Sequence, residues 1–212
     1  MRNYFDEQLR ALHEEMTALG QLCEAAIAAA MDCLDADGKN AVGVRELERQ
    51  TDEKEREVES LCMKLLLRQQ PVARDLRTIS SALKMVSDLE RIGDQAADIA
   101  EIAEVMPPRQ LRDATHLRVM AEAARNMVTG SVAAFVTSDL VLARRIMAED
   151  DTVDALFCTV RSELIAQIRA NPENGEECVD LLMIAKYLER IADHAVNVAE
   201  WVEYALIGTH KA

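Results

Sequence analysis

Aromatic residues are scarce in this chain: one tryptophan, three tyrosines and three phenylalanines, or 3% of 212 residues. Glycine and proline are also few, at seven and four. β-Sandwiches and barrels draw on aromatic and β-branched residues and on frequent turns, so this stock argues against them. Cysteine is present five times, as Cys23, Cys33, Cys62, Cys158 and Cys178, but without a CxxC pair. An odd count in a chain of this size does not make a disulfide framework. The expectation is small buried hydrophobes in helices, with a metal-bound or reactive thiol as the alternative. Positive charge is in deficit, with 24 Lys and Arg against 38 Asp and Glu, a net charge of −14. Such a field repels nucleic acid and anionic membrane surfaces, while it accepts cations and basic partners. The apolar stretches fall short of the roughly 20 residues of a membrane span. Residues 1–10 (MRNYFDEQLR) lack an apolar signal core. The expected location is therefore cytoplasmic, without membrane insertion.

Catalytic signatures are absent as well. The chain contains no HExxH, GxxxxGK[ST], GxSxG or GxGxxG. A ferritin-like di-iron site would need Glu-x-x-His on two helices. Asp113-x-x-His116 has that spacing but no companion, and His13 and His210 have no such setting. No serine or cysteine stands beside an evident base. A helix-turn-helix regulator would need a short, often basic recognition helix, which these long acidic segments do not supply.

What remains is helix-forming stock: Ala, Leu, Met, Ile and Val against Glu and Arg. Six helices are predicted. The first covers 3–34 and the turn DADGKN (35–40) ends it. The second runs from Ala41 to Arg68, and Pro71 opens a third that reaches Val105. Pro107-Pro108 stops it. A fourth covers 109–136, and Ser138 or Asp139 caps a fifth that runs to Ala170. NPENG (171–175) is a turn, and the sixth helix covers 176–206 before Gly208.

The two halves repeat. LERIGDQAADIAE (89–101) matches LERIADHAVNVAE (188–200) at an offset of 99, with eight of 13 positions identical. The offset also pairs Asp52 with Asp151, Glu55 with Asp154 and Val58 with Phe157. An offset of one domain length marks a duplicated three-helix bundle rather than a short-repeat solenoid. The expected fold is all-α: two tandem, pseudo-symmetric, antiparallel three-helix bundles, residues 1–106 and 107–212.

Each unit carries two stripes. Met85, Leu89, Ile92, Ala96, Ile99 and Ala103 form a packing stripe, repeated as Ile184, Leu188, Ile191, Ala195, Val198 and Val202. On the opposite face Glu90, Asp94, Asp98 and Glu101 stack turn upon turn, repeated as Glu189, Asp193, Asn197 and Glu200. The second helix adds Glu48, Asp52, Glu55 and Glu59. The fifth keeps only Asp151 and Asp154, with Met147 and Cys158 in the outer places. Antiparallel pairing sets Glu90 and Asp94 against Asp52 and Glu55, and Glu189 and Asp193 against Asp151 and Asp154. Aligned carboxylates destabilise a helix unless cations bind. An all-oxygen set suits Mg²⁺ or Mn²⁺ and can hold iron or zinc, including in a multinuclear cluster. Arg91 and Arg190 beside the rows can form ion pairs instead, and a solvated acidic face is the alternative. His194 lies beside the second row.

RDLRTISSALKMVSDLERIGDQ (74–95) and LLMIAKYLERIADHAVNVAEW (181–201) resemble the paired signatures of the PhoU family of phosphate-uptake regulators. Repeat spacing and chain length fit along the whole chain. The resemblance implies two three-helix bundles and multinuclear clusters of iron or zinc, with Mg²⁺ or Mn²⁺ also considered. Its E/D-x-x-x-D motifs carry over to Glu90-x-x-x-Asp94 and Glu189-x-x-x-Asp193, with Asp52, Glu55, Asp151 and Asp154 as partners and Asp98, Glu48 and Glu59 as weaker candidates. It also implies a non-enzymatic cytoplasmic adaptor, often a homodimer. Such an adaptor acts negatively on phosphate-starvation signalling through a sensor histidine kinase and the ATPase of a phosphate ABC transporter. Gly93 becoming Ala192 is a departure in the second copy. The readings that compete with it are a metal-dependent enzyme using the carboxylates and a purely structural helical interaction module.

Overall fold

The computed structural model describes residues 2–36, 38–69, 73–106, 111 and 115–209. It contains six long helices: α1 (Arg2–Asp35), α2 (Ala41–Gln69), α3 (Ala73–Val105), α4 (Leu117–Thr137), α5 (Leu140–Ala170) and α6 (Gly175–Ile207). Pro71, Pro107-Pro108, Asp113 and His210 lie outside the described residues, as does the boundary drawn after residue 106.

The ends follow local chemistry. Gly38, at φ +78°, turns the chain between α1 and α2, and its N–H bonds the Cys33 carbonyl at 2.9 Å. A side chain there would sit 2.5 Å from Cα of Glu104, so the turn lies directly on the end of α3. Ser138 ends α4 in the left-handed region, and Asp139 caps α5, its Oδ1 accepting from the N–H groups of Val141 and Leu142 at 2.9 and 3.0 Å. One 3₁₀ turn, Pro172–Asn174, links α5 to α6. Gly208, at φ +77°, closes α6 with its N–H on the Tyr204 carbonyl.

The fourth helix starts at Leu117, later than the sequence suggests. Two carboxylates bind Leu111 and His116, described residues ahead of it that are not helical. Glu177, buried on α6, accepts the Leu111 N–H at 3.2 Å, and Glu163 on α5 accepts the His116 N–H at 2.9 Å. Glu163 also meets His116 Nδ1 at 2.5 Å. A backbone N–H taken by a distant side chain is unavailable to a helix of its own.

Within each unit the three helices pack pairwise: α1 with α2 and α3, and α4 with α5 and α6. The units join along α3 and α6, the most extensive helix pair in the molecule, and along α1 and α4. Four helices thus form the inner layer, with α2 and α5 outside. Both packing stripes are fully buried in one continuous core. α1 corrects one sequence expectation: by length and composition alone it is apolar enough to cross a membrane. Half of that apolar stretch is buried against the bundle, with Leu12, Met16, Leu19 and Cys23 wholly enclosed. Four cysteines are buried and Cys158 is exposed. Burial pushes the Cys23 and Cys62 thiols up to about 12, which keeps them protonated and unreactive.

The α3–α6 contact obeys the duplication. Asp88 on α3 accepts from Asn197 on α6 at 3.0 Å and meets His194 Nδ1 at 2.9 Å. The offset of 99 turns the Asp88–Asn197 pair into Tyr187 and Asp98, which also face each other across the two helices. Arg77 near the start of α3 donates to the Ala205 carbonyl near the end of α6. The two helices are therefore antiparallel about a local pseudo-twofold axis.

Candidate metal centre

Packing α2 antiparallel to α3 brings the two acidic rows of the first unit edge to edge. Glu48, Asp52 and Asp94 meet there, each offering one carboxylate oxygen, all within 4.8 Å of one another. Oxygens around a divalent cation at about 2.0–2.6 Å stand at most about 4–5 Å apart. The donor set therefore fits a hard cation. All three residues are half-buried. Glu55 and Glu90 extend the cluster one turn along, and the charge of Glu90 reaches Glu55.

The electrostatics mark the same region. Burial raises the Glu48 carboxyl first, and the charges of Asp52, Asp94 and Glu101 add to it. Glu55 is raised by burial and then by Glu90, Glu59 and Asp52. Glu90 is raised by burial and then by Asp94, against the pull of Arg91. Raised carboxyls crowded together describe a site short of positive charge. Arg91 supplies some from the rim, bonding Asp94 at 2.9 Å and approaching Glu90 at 3.4 Å, and Arg56 lies 3.4 Å from Asp52. Both arginines are largely exposed.

Asp98 stands apart from this group. It faces α6, where Arg190 and Tyr187 draw its pKa down; burial and the charges of Glu101 and Asp94 still leave it raised. Glu48 and Asp98 stand alike in the sequence as weaker candidates, whereas the geometry places Glu48 among the three converging carboxylates. The Glu48-x-x-x-Asp52 spacing, one helical turn, was the signal for it.

The second seam is built differently. Glu189 is half-buried, while Asp151, Asp154 and Asp193 reach the surface. Asp193 is raised by partial burial and by Glu189 and Asp154, and lowered by Lys186 and His194. Asp150, which sequence alignment of the repeats leaves opposite Thr51, belongs here too. Its carboxyl is raised by burial and by Asp154, Asp193, Asp151 and Glu189. The spacing Asp150-x-x-x-Asp154 could have shown it. The repeat offset hid it, because the first copy has an uncharged residue there. Among the described residues only Glu48, Asp52 and Asp94 gather three potential ligands so closely. The other histidines are engaged elsewhere: His13 packs edge-on against Phe135, and His194 bonds Asp88.

A duplicated three-helix unit with an acidic seam between the second and third helices of each copy defines the class: an all-helical, two-unit protein whose first seam could coordinate a metal. The PhoU domain matches twice, over residues 16–103 and 117–202. A phosphate-specific transport system accessory protein PhoU homolog of Pseudomonas putida is 35% identical over 211 residues, covering 97% of this chain and 81% of its own. The homolog of Deinococcus radiodurans is 32% identical over the full length of both. The crystal structure of PhoU from Pseudomonas aeruginosa superposes with a TM-score of 0.86 at 34% identity, covering 97% of this chain and 100% of that one. The phosphate transport system regulatory protein PhoU of Streptococcus pneumoniae gives 0.89 at 27%, covering 98% and 99%.

The chain belongs to the PhoU family. Its general role is regulation of phosphate uptake, and membership in that family assigns it regulation rather than catalysis.

Proposed function

We propose that this protein is a metal-binding adaptor, a negative regulator that couples a sensor histidine kinase to the ATPase of a phosphate ABC transporter. One observation carries the metal part: three carboxylates from two helices converge at Glu48, Asp52 and Asp94 on a crowded seam. A cation there relieves the repulsion between α2 and α3 and so stiffens the outer face of the first unit. Glu55 and Glu90, one turn along the same rows, would supply the further carboxylates of a multinuclear site. Iron or zinc are the expected ions, with Mg²⁺ or Mn²⁺ compatible with the oxygen donors. The long exposed faces of α2 and α5 present the surfaces for partners. The units divide between residues 106 and 107, and the protein works in the cytoplasm as a homodimer.

The test combines metal content with partner retention. Glu48→Gln with Asp94→Asn should strip metal from purified protein while circular dichroism stays unchanged. Tagged wild-type protein should retain the transporter ATPase and the kinase, and the double variant should retain less of both. Equal metal content in variant and wild type would remove the seam assignment. Failure to retain either partner, with metal and phosphate each varied, would remove the adaptor reading.

A further inference from the structure

The duplication that copies the core does not copy the charge of the helix ends. Residues 60–84, covering the end of α2 and the start of α3, hold Lys64, Arg68, Arg74, Arg77 and Lys84 against Asp75 alone, a balance of +4. At the offset of 99, residues 159–183 hold Arg161 and Arg169 against Glu163, Glu173, Glu176, Glu177 and Asp180, a balance of −3. Antiparallel packing of α3 on α6 sets these two regions at opposite poles of the molecule. The other helix ends at the first pole are neutral. Residues 2–10 of α1 hold two bases and two acids, and Arg144 and Arg145 on α5 balance Asp139 and Glu203. Exposed apolar side chains share this pole. Met63 and Leu67 lie one turn apart near the end of α2, with Leu67 77% exposed. Leu76 projects from the first turn of α3 and Ile207 from the last turn of α6. Arg77 joins those two ends, since it donates to the Ala205 carbonyl and lies 3.4 Å from where a Cβ on Gly208 would be.

We propose that this pole docks on the surface of an anionic lipid bilayer, as a peripheral contact without a spanning helix. The apolar side chains would enter the headgroup layer, and the cations would meet lipid phosphates. Free cations beside exposed apolar side chains are what such an interface selects, and these cations are free. Arg49, Arg56, Arg91 and Arg125 each bond a carboxylate on their own helix. Lys64, Arg74 and Lys84 are exposed, and among the described residues they bond none. The whole chain, at −14, would be repelled by an anionic surface, but screening separates the pole from the rest. The Debye length at physiological ionic strength is about 8 Å. The nearest seam acids, Glu59 and Glu90, stand roughly 12 Å from Leu67 and 21 Å from Leu76 along their helices. The bilayer therefore meets the basic pole while the acidic rows remain in water. An acidic protein segment would also suit the cations. It has less use for apolar side chains spread over the ends of three helices, which a fluid interface receives together.

The experiment sediments full-length protein with vesicles of equal parts phosphatidylglycerol and phosphatidylcholine, and with vesicles of phosphatidylcholine alone. Wild type should pellet with the first, stay in solution with the second, and be released as salt rises. Lys64→Glu with Arg74→Glu should weaken binding roughly tenfold or more. Arg161→Glu with Arg169→Glu makes the same change in net charge at the matching end of the second unit and should leave binding unchanged. Leu67→Ser with Leu76→Ser should weaken it several-fold. Circular dichroism verifies that each variant is folded. The proposal is overturned if wild type ignores the anionic vesicles, if it binds both kinds equally, or if the two charge-reversed variants lose binding to the same extent. Retention on immobilised polyglutamate without any binding to vesicles would overturn the lipid reading in favour of an acidic protein partner.

Discussion

Gly38 occupies a left-handed turn and lies against the backbone of Glu104 and Ala103, which a Cβ would approach to 2.5 and 2.7 Å. No side-chain rotation can relieve a contact with backbone. A left-handed conformation alone costs an L-residue about 1–2 kcal/mol. Gly38→Ala should therefore lose at least about 2 kcal/mol, seen as a fall in Tm of roughly 4–8 °C for a chain of this size. A Tm within a degree of wild type would show that the turn moves freely off α3. The seam carboxylates make a second prediction at this scale. Glu48, Glu55, Glu90, Asp98, Asp150 and Asp193 all have pKa values raised in the fold, with burial the first cause in each. The folded state then binds protons more readily than the unfolded chain. Stability is lowest above the raised values and recovers as pH falls through them to the ordinary carboxylate range. Glu46 and Glu104 act in the opposite sense, since Arg49 and Arg45 hold them below the usual range. Their contribution disappears at still lower pH. Metal-free protein should show Tm rising from about pH 7.5 to about pH 5 and declining below. Bound metal should flatten the rise. A metal-free Tm that falls steadily from neutral pH would contradict this account.

At the scale of the helices, equivalent contacts have acquired unequal weight in the two units. Arg45 pairs with Glu104 at 2.8 Å, and the offset of 99 carries this to Arg144 and Glu203 at 2.7 Å. Both partners of the first pair are more than 40% exposed, whereas Glu203 is only 5% exposed. An exposed pair contributes up to about 1 kcal/mol. Removing the partner of a buried carboxylate costs roughly 1–3 kcal/mol. Arg144→Ala should therefore destabilise clearly more than Arg45→Ala in urea titrations. Equal losses would mean that water already screens Glu203. The packing pair Gly93 and Thr51 shows the same divergence. A Cβ on Gly93 would meet the Thr51 methyl at 3.1 Å, and the second copy has Ala192 opposite Asp150. The exchange of a threonine for an aspartate at this position puts a carboxylate into the second seam.

For the whole molecule, the joining of α3 to α6 and of α1 to α4 merges two bundles into one core. Neither inner stripe faces solvent, so neither unit can unfold without exposing the other. Thermal unfolding should be a single transition, with calorimetric and van't Hoff enthalpies equal. Ile184, wholly buried on α6, gives a direct check. Ile184→Ala should cost about 2–5 kcal/mol and shift the one transition without splitting it. Two resolved transitions, with only one displaced, would show independent units.

The class of fold, the duplication and the inward stripes could be read from the chain itself. Apolar spacing of three and four residues has one helical solution, and an offset of 99 between near-identical segments has one simple origin. Met85 to Ala103 and Ile184 to Val202 are buried as their spacing demands. The turns at Gly38, Asp139 and Gly208 were equally plain, because their backbone chemistry is local. Helix phase also put Asp52, Glu90 and Asp94 on outward rows. Distances between helices are not local, and there the tertiary structure decided. It placed Glu48 beside Asp94, turned Asp98 toward Tyr187, and brought Asp150 into the second seam. It bound Leu111 and His116, ahead of α4, to Glu177 and Glu163. It also set Lys186 between Glu189 and Phe157. A periodic pattern determines which face a residue occupies, but only the packing of one helix on another determines which charge it meets.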